Sequence, residues 1–99
     1  MLFEIRDEKG NVYNKVEHPA VVFDKDCGTL LKIGSREKML AYFNETNDKY
    51  RAKGLDDMAD NLYYMELPKD QDEIDRVFHN TGYIKRLYEK SFPHQRNAQ

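Results

Sequence analysis

Chemistry in this chain would begin with its carboxylates. Asp24-Lys25-Asp26-Cys27-Gly28 places two acids two apart before a glycine, a spacing that can start a calcium-binding loop. Such a loop needs a third oxygen ligand before its glycine and a Glu at position twelve. Gly28 takes the place of that ligand, and position twelve is Ser35. The segment reads instead as a polar hairpin turn. Asp56, Asp57 and Asp60 form a second cluster, and on a helix their spacing lets carboxylates share a face and hold a hard cation.

The string Asp56-Asp57-Met58-Ala59-Asp60 is similar to the magnesium–diphosphate motif of isoprenoid synthases, over five residues only. That resemblance implies a large helical barrel and a second carboxylate cluster, which a chain of 99 residues does not supply. A solvated helix start is the better reading. His18, His79 and His94 are far apart, and Cys27 is the only cysteine, so no zinc spacing exists. Cys27 with His18 or His79 would be the sole candidate thiol–base pair, and nothing local marks the thiol as activated. Gly34-Ser35-Arg36, at a strand-to-helix junction, could hold an anion, although capping by Ser35 explains it. No phosphate-binding glycine loop, nucleophile elbow or zinc-protease motif occurs. The expectation is a protein without catalytic residues, metal or cofactor.

The remaining candidates are surfaces. Residues 55–75 carry eight acids and one base, and residues 76–99 carry five bases and one acid, which polarises a chain of net charge −2. An acidic stretch can steer a basic protein partner or imitate nucleic-acid phosphates. The basic segment Lys85–Lys90, with Tyr88, could touch RNA. The net charge does not favour general nucleic-acid binding, which needs a basic excess. The seven tyrosines in a chain without Trp divide between an aromatic core and an interface. Tyr63 and Tyr64 are adjacent, so in a strand they face opposite sides. The residues proposed to meet a partner are Asp56, Asp57, Asp60, Tyr63, Tyr64, Asp72 and Tyr83. A ligand pocket lined by Tyr42, Tyr63 or Tyr64 is a further reading.

The elements that would position these groups follow from periodicity. Alternation predicts strands on both sides of Asp7–Asn11, giving a first hairpin over 2–16, with Phe3 and Ile5 sharing a face with Met1. Ala20–Phe23 and Thr29–Ile33 predict a second hairpin around Asp24–Gly28, with Pro19 at a strand start or edge. Met39, Phe43, Thr46 and Tyr50 mark a helix over 36–53, ended by Gly54. Residues 55–61 read as either a helical turn or a loop. Residues 62–67 predict a fifth strand, stopped by Pro68. Asp70 and Glu73 suggest a capping box before a helix with Ile74, Val77 and Phe78 on its buried stripe. A last helix covers 83–91, and 93–99 form a polar tail.

The expected fold is α+β, in the order ββββαβαα. It has one antiparallel sheet of four or five strands, covered on one face by two or three helices, in a single domain over 1–92. Hydrophobic residues are 39% of the chain, below the globular norm of about 45–50%, so their patterning must build the core. No apolar run reaches the roughly 20 residues of a membrane span, and the N-terminus lacks a signal-peptide pattern. With a lone cysteine, a cytoplasmic protein is expected. An edge strand, that of Pro19 or 62–67, would let two copies pair.

Overall fold

The computed structural model describes residues 1–7, 9–26 and 28–79. Strands β1 (Phe3–Arg6) and β2 (Val12–Val16) form the first hairpin, with Phe3 opposite Val16 and Ile5 opposite Asn14. Asp7 closes its turn: Oδ1 accepts the Lys9 and Asn11 amides, each at 2.9 Å, and Gly10 adopts a φ of 86°. Phe3, Ile5 and Val16 are buried, so the alternation selects one face. Met1 does not join that face; it is 92% exposed.

Strands β3 (Pro19–Asp24) and β4 (Leu30–Ser35) form the second hairpin. Strand β5 (Leu62–Glu66) pairs antiparallel with the other side of β3, giving the order β4-β3-β5. The expected continuous sheet of four or five strands is therefore split into sheets of two and three strands. The reason lies in β3. Ala20, Val21, Val22 and Phe23 are each 0% exposed, so this strand needs cover on both faces. A hairpin added at the sheet edge would leave one face bare. Stacked on the sheet, its Phe3, Ile5 and Val16 meet Val21, Phe23, Ile33 and Met65. Pro19 stands at a strand start, one of its two expected placements, but that strand is central and not an edge. A first residue tolerates the missing N–H, and its carbonyl accepts the Leu67 amide at 2.9 Å.

Helix α1 (Arg36–Ala52) covers the opposite face, where Met39 is buried against Ala20, Val22 and Leu62. Tyr42, Phe43, Tyr50 and Tyr64 flank that cluster. Gly34 permits the approach, since a Cβ there would stand 3.0 Å from the Met39 terminal methyl. Ser35 Oγ caps the helix by accepting the Lys38 amide at 3.3 Å. Gly54, with φ 74°, ends it: its amide reaches the Arg51 carbonyl and the Leu55 amide reaches that of Tyr50. The chain re-enters helix at once as α2 (Asp56–Asn61), which settles the ambiguous segment.

Helix α3 (Gln71–His79) packs with the hairpin, on the face away from α1, through Ile74 and Val77. The helices thus lie on both sides of the three-stranded sheet, whereas one face was expected. Asp70 caps α3 through Oδ1, which accepts the Asp72 and Glu73 amides at 2.9 and 3.4 Å. The reciprocal half of the capping box is missing: the Asp70 amide bonds to Pro68, and Glu73 pairs with Arg76 at 3.2 Å. The observed order is ββββααβα. The expected helix at 83–91, Tyr83, Cys27, the basic segment and the tail lie outside the described residues.

Candidate functional site

The three aspartates of α2 do not act as a free acidic cluster. Arg51, in the last turn of α1, reaches Asp60 at 2.8 Å and Asp56 at 3.5 Å. The hydrogen bond to Asp60 is the main reason its guanidinium is held above its ordinary pKa. A cation clamped between two of three carboxylates leaves only Asp57 without an ion pair among the described residues. Asp72 belongs to α3, which packs on the other face of the sheet from α1. The acidic stretch 55–75 is thus divided by β5 and not gathered into one surface. Among the described residues no three His, Cys, Asp or Glu side chains converge on a metal position.

Tyr63 and Tyr64 face opposite sides of β5, as adjacency requires. The Tyr63 ring packs against Phe23 at 5.7 Å between centroids. Tyr64 lies under α1, and its hydroxyl is shielded from solvent without a hydrogen-bond partner among the described residues. Burial, then the nearby Glu66 carboxylate, raises its pKa above 10.0, while Arg36 opposes them. Both rings are half-buried and serve the core. The anion reading at Ser35-Arg36 also loses its donors. The Arg36 amide bonds to the His18 carbonyl at 2.8 Å, the Lys38 amide is taken by Ser35, and Arg36 faces Glu37 and Glu66 at 3.6 and 3.8 Å.

A concavity among the described residues lies elsewhere, at the end where the β3–β4 turn meets α2. A depression of about 180 Å³ is lined by Asp24, Thr29, Leu31, Tyr50, Met58 and Leu62. Of the tyrosines it takes Tyr50, and not Tyr42, Tyr63 or Tyr64. Leu31 and Met58 stand at its wall while remaining 40% and 46% exposed. Leu55, which follows α1 and donates its amide to the Tyr50 carbonyl, is exposed as well. A local irregularity creates the Leu31 position. Lys32 pairs with Val22 and Leu30 with Phe23, so Leu31 bulges from the ladder.

Sequence reasoning passed over Leu31, Leu55 and Met58. One signal was present: Leu30 and Leu31 are adjacent in a strand, so they cannot both enter the same core.

The strand edges are guarded unevenly. Along β1, the Glu4 amide donates to Gln71 Oε1 at 2.9 Å and Gln71 Nε2 donates to the Glu4 carbonyl at 2.8 Å, so one carboxamide imitates a neighbouring strand. Glu4 faces Lys15 on β2, and the Lys15 amide is occupied by Asn14 Oδ1 at 2.9 Å. Such capping discourages edge-to-edge pairing. Strand β5 has a single strand neighbour, β3, among the described residues, whereas the Pro19 strand is central and offers no edge.

No described helix is long and apolar enough to cross a membrane. Compared with protein-family models, curated proteins and solved structures, the chain shows no match. The class these observations define is a small α+β domain with α1 on one side of a three-stranded sheet and a hairpin plus α3 on the other.

Proposed function

We propose that this protein is a non-enzymatic interaction module that binds a protein partner stoichiometrically through the end of the domain formed by α2 and the β3–β4 turn. The observation that carries the reading is the pair of exposed apolar side chains, Leu31 and Met58, on the wall of one depression. Contiguous apolar surface on a small domain costs solvation in the free state and is recovered on docking. Tyr50 supplies the aromatic anchor, and Asp57, which has no ion pair among the described residues, supplies a polar rim. Of the expected contact residues Asp57 alone stays in this reading as a contact, joined by Asp24 and Tyr50, with Asp56 and Asp60 orienting α2 through Arg51.

The test compares wild type with Leu31→Asp and Met58→Asp in affinity capture from cells of the source organism, with melting temperatures in parallel. Both side chains are substantially exposed, so the fold should hold. A partner retained by the wild type and lost by both variants, at melting temperatures within about 2 °C, supports the reading. Equal capture by all three refutes it.

A further inference from the structure

We infer that a second copy of this chain pairs along the outer edge of β5, joining the two three-stranded sheets edge to edge about a two-fold axis at Met65. The ladder to β3 fixes which backbone groups of β5 face outward. The Leu67 amide donates to the Pro19 carbonyl at 2.9 Å, and the Lys25 amide to the Asn61 carbonyl at 2.8 Å. Bonded pairs recur at every second residue of an antiparallel ladder, so Tyr63 and Met65 also turn their backbone groups to β3. Leu62, Tyr64 and Glu66 turn theirs away. The Leu62 amide is spent on the Ala59 carbonyl. The backbone amides and carbonyls of Tyr64 and Glu66 have no hydrogen-bond partner among the described residues.

Neighbouring edges carry guards that β5 lacks. On β4, the far edge of the same sheet, Leu31 bulges from the ladder and Lys32 is exposed, and both features discourage pairing. On β1, Gln71 occupies the Glu4 backbone groups. Strand β5 contains no Pro, Gly or Lys, and its register with β3 runs without a shift from Glu66 to Leu62.

The spacing of the free groups selects a second copy as the occupant. The two residues with donor and acceptor both free stand on either side of Met65. A two-fold axis there sets each Tyr64 against Glu66 of the other copy, and the pair exchanges both main-chain bonds. A register centred on Tyr64 would place the spent Leu62 amide against Glu66. One centred on Glu66 would set two carboxylates directly opposite each other.

The experiment measures the mass of the whole chain by sedimentation from about 10 μM to about 1 mM, with amide exchange at both ends of that range. The mass should rise from one chain toward two. The Tyr64 and Glu66 amides should gain protection of at least about tenfold at the high concentration, and the Tyr63 and Met65 amides, already bonded to β3, should gain less. Glu66→Pro removes an outward donor that no bond to β3 uses, so the variant should fold and its association should weaken at least about tenfold. Glu66→Ala keeps the donor and should associate as the wild type does. A mass of one chain at the highest concentration, a dimer whose Tyr64 and Glu66 amides exchange alike at both concentrations, or a folded Glu66→Pro protein that associates as the wild type does would each overturn the pairing. The exchange measurement decides on the wild type alone if Glu66→Pro fails to fold.

Discussion

Gln71→Ala should detach the hairpin from the rest of the domain more than any other single polar substitution. The Gln71 carboxamide makes three hydrogen bonds: two with the Glu4 backbone, at 2.9 and 2.8 Å, and one with Asp75 Oδ1 at 3.0 Å. Asp75 in turn holds Arg6 at 3.2 Å, and Arg6 pairs with Glu4, so one amide orders a four-residue network. A net hydrogen bond contributes about 1 kcal/mol, and these are partly buried. Water can reach some of the freed groups, so about 2 kcal/mol is the expected loss. At about 4–8 °C per kcal/mol for a domain of this size, the melting temperature should fall by roughly 8–16 °C. Gln71→Glu should cost more than Gln71→Ala, because a carboxylate would face the Glu4 carbonyl and Asp75. Amide exchange gives the local readout: Glu4 should lose protection by a larger factor than Val22. A Gln71→Ala melting temperature within about 2 °C of wild type, or a Gln71→Glu protein as stable as wild type, would refute the reasoning.

Phe23→Ala removes the largest fully buried side chain among the described residues, from the strand that both layers cover, and should cost about 3–5 kcal/mol by denaturant unfolding. Tyr64→Phe deletes a shielded hydroxyl that has no partner among the described residues, and should be neutral or stabilising by up to about 1 kcal/mol in the same assay. Its ultraviolet titration should lack a phenol that ionises above 10.0 in the wild type, raised first by burial. The Asp7 carboxylate, held below its ordinary 3.8 chiefly by the Asn11 amide, stabilises the hairpin turn fully above that value. The contribution is lost as pH falls through the lowered folded value, so NMR titration should place the Asp7 midpoint below 3.8 and Asp7→Ala should flatten that part of the acid-unfolding curve.

Local rules carried much of the architecture. Alternation located β1 and β2, an apolar run stopped by Pro68 located β5, Gly54 stopped α1 within a residue, and Asp70 marked the start of α3, because each depends on neighbours in the chain. The candidate site was less legible. The acidity of residues 55–75 stands in the sequence, but the Arg51 guanidinium that clamps Asp56 and Asp60 comes from another helix. Leu31 shows only as one leucine of a pair. Its place beside Tyr50 and Met58 depends on a bulge in β4 and on where α2 packs.

What the sequence by itself determined, then, is the placing of the five strands, α1 and α3 and the turns between them, since hydrophobic period, capping and glycine conformation act over a few residues. The tertiary structure alone decided that the hairpin stacks on the second sheet instead of extending it. Ala20, Val21, Val22 and Phe23 must be covered from both sides, and the energy of doing so comes from side chains far away in the sequence: Phe3 and Ile5 below, Met39 above. The same packing brings Asp24, Tyr50 and Met58 to one depression.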